Sequence, residues 1–191
     1  MIRERIKSET AEQHKNVENV GYSSRIMSGE LNLDEYKNLI LTNLGLNKAF
    51  EEQWSALPFD LPAELNIEQR KKTKALEDDA RALGLETNVK SEFKFPVNTY
   101  EQFMGTLYVF EGSTLGGAII AKQLIKNQNL SEVSEFNFYN CYGPMIGKLW
   151  KNFLDHLTQI KDAEKVDRAI KAAQDTFDIT YHAFAQVNKV G

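Results

Sequence analysis

Tyr108-Val-Phe-Glu-Gly-Ser-Thr-Leu-Gly-Gly117 is the stretch on which the fold of this chain turns, because it is rich in glycine where the surrounding pattern is helical. The flanking apolar residues recur at three and four, and Asn98 with Glu101 reads as the N-terminal cap of a helix running to about Asn127. Gly105 stands seven residues before Gly112. At about 100° per residue, Gly105, Gly112 and Gly116 fall within roughly 40° of one another, so a strip of that helix has no side chains. Four interior glycines, with Gly117 the fourth, cost about 3–4 kcal/mol relative to alanine. Two things could offset that. One is close contact with a second helix; the other is a flat ligand lying directly on backbone, with the glycines letting the helix bend.

The same helical period extends in both directions. Ile2, Ile6, Thr10, His14 and Val17 form a stripe that Gly21 interrupts. Leu33, Tyr36, Ile40, Leu44, Phe50, Trp54 and Leu57 form a longer one, starting after Asn32 and stopping at Pro58. Asn66 with Gln69 reads as a capping box for a third helix carrying Leu76, Ala80 and Leu83 to Gly84, with the Arg70-Lys71-Lys72 run and Lys74 on its solvated face. Leu85 to Val97 reads as a loop, and so does Gln128 to Asn140, with Phe136 and Phe138 as anchors. Two more helices follow, about Met145 to Ile160 and Asp162 to Lys189. No repeat or linker interrupts the pattern, which predicts one all-α domain over residues 1–191.

Composition agrees with a helical bundle. The chain of 191 residues has 11 glycines and 4 prolines, a low share for a loop-rich or turn-rich fold. A formal charge of −4 argues against a nucleic-acid partner, and no apolar run is long enough to span a membrane. With a single cysteine, Cys141, and no apolar leader at Met1-Ile-Arg-Glu-Arg, the expected compartment is the cytosol.

The common catalytic signatures are missing. There is no phosphate-binding glycine loop, no His-Glu-x-x-His and no Cys-x-x-Cys. Glu-x-x-His pairs for a di-iron bundle are missing too, since Ala11, Phe153 and Ile179 precede His14, His156 and His182 by three. His14 breaks a different rule by occupying an apolar stripe, with Glu18 one turn later on the same face. A carboxylate there could hold one ring nitrogen and leave the other neutral and outward, as an axial metal ligand needs. A histidine at the core edge that satisfies itself by a hydrogen bond explains the same spacing. An imidazole facing a bare, bendable helix would make a slot suited to a flat metallocycle.

These residues resemble the heme oxygenases, in particular the bacterial, biliverdin-producing branch, over essentially the whole chain. Ile6-Lys-Ser-Glu-Thr-Ala-Glu-Gln-His14-Lys-Asn-Val-Glu18-Asn19 is similar to the family's proximal helix, and Tyr108 to Gly117 to its distal helix. The resemblance implies a heme slot between those two helices, with His14 as the axial iron ligand and Glu18 behind it. It places Lys7 on a propionate, Thr10 and Val17 beside the ring, and Tyr108, Gly112, Ser113, Gly116 and Gly117 over it. Tyr142-Gly-Pro through Lys148-Leu-Trp150-Lys151-Asn-Phe153 resembles the penultimate helix, whose Lys148 or Lys151 would take the second propionate. Phe177 and Phe184 match aromatic residues near the heme edge.

The implied activity is oxidative cleavage of heme by O2 to biliverdin, carbon monoxide and ferrous iron, with heme as both substrate and cofactor. Electrons would come from an external ferredoxin or reductase, since no flavin or nicotinamide motif is present. Ser113 departs from the pattern, for many relatives carry aspartate there to hold water over the iron. That change keeps open a heme-binding protein that stores, carries or senses heme without cleaving it. A thiaminase-like hydrolase would need Cys141 as nucleophile, and no base adjoins it in the sequence.

Overall fold

The structure, a computed structural model, describes residues 1–89 and 92–187. Every regular element among them is helical: α1 (Ile2–Glu9), α2 (Ala11–Val20), α3 (Ser23–Ser28), α4 (Leu33–Trp54), α5 (Thr73–Ala82), α6 (Tyr100–Leu115), α7 (Gly117–Lys126), α8 (Ile146–Leu157) and α9 (Ala163–Val187). The expected end of the last helix at Lys189 lies outside the described residues.

The core sits where α4, α6 and α9 meet. Phe50 of α4 stacks on Phe110 of α6 with centroids 4.5 Å apart, and Phe95 closes on both rings edge-on. The extended segment carrying Phe95 has no strand partner. Instead the Gln53 side-chain amide donates to the Phe95 carbonyl at 3.2 Å and accepts from its N–H at 3.0 Å. One glutamine thus satisfies both backbone groups of a buried residue, which is why this stretch can be a loop.

Local rules explain most element ends. The N-terminus of α4 is closed by a reciprocal capping box between Asn32 and Glu35. That of α6 is closed by Thr99 and Gln102, one residue beyond the expected Asn98 and Glu101. The first stripe is not continuous: at Thr10 the backbone leaves helical geometry (φ −112°, ψ 5°), separating α1 from α2. The distal stripe likewise breaks at Gly116, between α6 and α7.

The segment from Asn66 to Lys72 differs most from expectation. Asn66 is no helix cap; it adopts a left-handed conformation (φ 53°) between short 3-10 turns at Ala63–Leu65 and Ile67–Arg70, and α5 starts only at Thr73. The Arg70-Lys71-Lys72 run does not form a solvated face. Lys71 is exposed, but Arg70 and Lys72 retain only 1% and 2% of their surface. A polar partner in the interior overrides the hydropathy pattern here.

Gly105 accounts for one of the two readings of the glycine strip. A Cβ there would lie 2.0 Å from the Ala169 carbonyl oxygen of α9, and a helix backbone cannot yield as a side chain could. Gly105→Ala is therefore expected to destabilise the fold by about 2 kcal/mol or more. A lower urea midpoint at unchanged slope would show it, and an unchanged midpoint would contradict it.

Candidate ligand face and its supports

The glycines divide into two classes. Gly105 packs on α9, and a Cβ on Gly117 would meet the Tyr139 carbonyl oxygen at 2.7 Å. At Gly112, by contrast, an added Cβ would meet nothing within 4 Å, and at Gly116 only Ile120 Cδ1 at 3.9 Å. Leu115 and Ile119, on the same side of α6 and α7, remain 43% and 58% exposed. Helical spacing puts Tyr108, Gly112, Leu115, Gly116 and Ile119 on one stripe. A bare backbone flanked by exposed large apolar side chains is a surface made for an apolar partner. Periodicity could have signalled Leu115 and Ile119, since they share the glycine face at three- and four-residue spacing.

His14 lies on α2 with 56% of its side chain exposed. Its ring meets Phe177 of α9 edge-on, with centroids 5.6 Å apart. The preceding residue, Thr176, donates from Oγ1 to Oγ1 of Thr106 on α6 at 3.2 Å. Adjacent residues of α9 therefore touch the helix of His14 and the helix of the bare face, so α9 is a wall common to both. Gln174 ties α9 to the end of α1 as well, donating to the Glu9 carbonyl at 2.9 Å. Glu18 Oε1 stands 3.6 Å from His14 Nδ1, an ion-pair distance rather than a hydrogen bond. That places the carboxylate on the Nδ1 side, and Nε2 has no hydrogen-bond partner among the described residues.

The remaining expected site residues fall into two sets. Lys7 is exposed on α1, and Val17 is half-buried on α2 beside the core. Tyr108 packs against Trp150 and Phe153 of α8, with centroids 6.0 and 6.5 Å away, and burial raises its pKa while nearby Arg3 opposes the rise. Lys148 and Lys151 share the outer face of α8; Lys151 pairs with Asp155 at 2.7 Å, whereas Lys148 has no ion-pair partner among the described residues.

Thr10, Gly117 and Phe184 are not brought to the open face. Thr10 is buried at the α1–α2 joint, its hydroxyl donating to the Ile6 carbonyl at 2.6 Å. Gly117 is pressed against Tyr139, and Phe184 is buried in the core two turns beyond Phe177. Ser113 is exposed but donates to the Phe110 carbonyl at 2.8 Å, so its proton is engaged and only its lone pairs face outward.

Behind the open face lies a buried polar cluster that hydropathy alone did not reveal. Glu111, 1% exposed, precedes Gly112 and takes Arg70 Nη1 on one carboxylate oxygen. The other oxygen receives Lys72 Nζ at 3.1 Å and the Tyr142 hydroxyl at 2.5 Å. Burial, with the Glu111 charge added to it, pushes the Tyr142 phenol far above its ordinary range, so it stays a donor. Glu51 of α4 completes the surroundings by accepting from the N–H groups of Lys72 and Thr73 at 2.6 and 3.1 Å.

Two surface hollows lie elsewhere. One, of 340 Å³, is lined by Leu61 to Gln69; the other, of 540 Å³, reaches from Lys71 and Lys74 to Asn140 and Cys141. Burial raises the Cys141 thiol, which is the opposite of what a nucleophilic cysteine needs. Among the described residues no cluster of three His, Cys, Asp or Glu side chains could hold a bare metal ion, and no helix is long and apolar enough to cross a membrane.

Comparison with known proteins places these features in a family. The model of the family described as heme oxygenase matches residues 1–186. A curated heme oxygenase of Xanthomonas campestris pv. campestris (strain 8004) is 34% identical over 100 residues, and that alignment spans 52% of this chain and 59% of the relative. Among solved structures, heme oxygenase from Leptospira interrogans superposes with a TM-score of 0.79 at 16% identity, covering 97% of this chain and 98% of that one. Heme oxygenase-1 of Synechocystis sp. PCC6803, solved in complex with heme, gives 0.74 at 18% identity, covering 98% and 92%. The NO- and CO-bound enzyme of Neisseria meningitidis gives 0.72 at 22% identity, covering 97% and 91%.

Proposed function

The chain belongs to the heme oxygenase family, and on that premise we propose that it cleaves heme oxidatively to biliverdin, carbon monoxide and ferrous iron. The observation that carries this reading is the open apolar stripe of α6 and α7, joined through α9 to a solvent-facing imidazole. A porphyrin is flat and largely apolar, which suits a helix face that Gly112 and Gly116 leave without side chains. Heme is the substrate here and supplies the iron at which dioxygen is activated.

The protein contributes position and exclusion of water. His14 would hold the heme iron through Nε2, and Glu18 on the Nδ1 side favours a ring proton there, which keeps Nε2 free to coordinate. Neutral imidazole leaves the outcome on the other side of the ring to the distal pocket. There the Gly112–Gly116 backbone would let the ring approach closely, and Leu115 and Ile119 would shield it from solvent. Ser113 can accept a hydrogen bond from water while its own proton stays on the Phe110 carbonyl. Lys7 on α1 and Lys148 on α8, neither with an ion-pair partner among the described residues, are the cations we assign to the propionates, Lys151 being engaged by Asp155.

An external donor of ferredoxin or reductase type supplies the electrons, and a cytosolic setting fits the free, partly buried Cys141. Anaerobic hemin titration, followed by reductant and oxygen, tests the reading in one cuvette. Loss of the Soret band with growth of a bile-pigment band is expected. A Soret band that persists through turnover conditions would make the protein a heme carrier, and failure to bind hemin would remove the site altogether.

A further inference from the structure

The Arg70 side chain is fully buried and uses all its reach to join separate segments. Nη1 donates to Glu111 of α6; Nη2 donates to the Leu149 carbonyl at 3.1 Å and to Asn152 Oδ1 at 2.8 Å, both on α8; Nε donates to the Leu65 carbonyl at 2.8 Å. Two of these helical partners adjoin residues assigned above to the ligand. Glu111 precedes Gly112, the first open glycine of the distal face, and Leu149 follows Lys148, the free cation of α8. Together with the packing of Tyr108 on Trp150 and Phe153, this guanidinium therefore holds the backbone beside Gly112 at a set distance from the turn of α8 that bears Lys148.

We infer that Arg70 is a positioning residue that sets the register of α6 against α8 and thereby determines which meso carbon of heme is cleaved. This rests on the function proposed above. Lys148 fixes the in-plane rotation of a ring by its propionates, and the α6 backbone fixes the direction in which oxygen can lean. Their relative placement selects the carbon that is met, and displacements of about 1 Å matter strongly for reacting geometry. Arginine is required because its planar fork presents donors to both helices in one fixed geometry, whereas a lysine in its place is a point charge on a flexible stem that leaves their spacing free. Lys72 holds Glu111 with no hydrogen bond to α8, and Tyr142 reaches Glu111 from the turn that leads into α8, whereas Arg70 bonds α8 itself at two residues.

The test uses the full chain and its Arg70→Lys variant, each loaded with hemin. Two quantities are read: the heme-methyl NMR shift pattern of the ferric cyanide complex, which reports ring seating without turnover, and the ratio of biliverdin isomers. In Arg70→Lys a second seating pattern is expected and the isomer ratio shifts about fivefold or more, the factor set by a small change in free energy. Leu76→Ala, a core cavity one turn beyond Lys72 that removes none of the bonds of Arg70, controls for general loosening and keeps the unmutated ratio.

A folded Arg70→Lys protein with the unmutated pattern and ratio overturns the inference. So does an equal shift in Leu76→Ala. Should Arg70→Lys fail to fold by circular dichroism, Asn152→Ala decides on the same two readouts, because it frees only the α8 end of the bridge. Failure of the unmutated chain to bind hemin or yield biliverdin is read before any variant; it overturns the proposed function and this inference together.

Discussion

Replacing His14 with alanine is expected to leave the fold intact and to remove both the axial field and the turnover of the hemin complex. The side chain is 56% exposed, and its contact with Glu18 is a loose 3.6 Å pair between two exposed groups. Such positions change stability by no more than about 0.5 kcal/mol. The effect on ligand binding is of another order. Loss of a group that merely supports a metal ligand costs about 10–100-fold in affinity or activity, and loss of the only protein ligand exceeds that. Hemin titrated into the variant should give an altered Soret position and no bile pigment under reductant and oxygen, while the melting curve stays unchanged. Wild-type spectra and rates would show that the imidazole does not reach iron.

Gly112→Leu should produce an enzyme that is more stable and inactive. The position is helical, and a Cβ there would project into open space, so folding meets no clash. Exchanging an interior helical glycine for leucine is worth about 0.8 kcal/mol in helix propensity. The new isobutyl group would stand on the face proposed for the porphyrin and fill the room in which oxygen bends. Raised urea resistance with loss of hemin binding or turnover is the expected pair of results. Gly112→Ala should give the same signs with smaller effect. Full activity in Gly112→Leu would mean that heme does not lie against this turn.

These contrasts show what sequence could and could not carry. Stripes at three and four gave the bundle and its helices, because each exposes one face to a common core. They also isolated His14 and the glycine strip. The strip reads as uniform in sequence, yet Gly105 meets the Ala169 carbonyl and Gly117 the Tyr139 carbonyl, while Gly112 and Gly116 stay clear. A helix wheel fixes azimuth along one element and says nothing about which neighbour approaches at each turn. Arg70 and Lys72 escaped for a related reason. Hydropathy sends cations outward unless a buried carboxylate from a distant segment awaits them, and Glu111 lies 41 residues from Arg70. Asn66 misled because a capping pattern is local, and tertiary pairing of Arg70 overrode it. Thr10 shows the converse, a residue on the right stripe whose side chain satisfies the helix behind it.

The short helix bearing His14 has one further property. Severed from α1 at Thr10, α2 contributes no fully buried residue to the interior; only Gln13, Val17 and Val20 are even partly covered. A ten-residue helix is marginal by itself and depends on tertiary packing for its persistence. Coordination would add that packing from outside the chain, since a ligand bound only by the folded state at about 100 times its dissociation constant contributes ~2.7 kcal/mol. The macrocycle then serves as a removable piece of hydrophobic interior, and cleaving it open would dissolve the very brace that held it, so that product departure and loosening of this segment become one event.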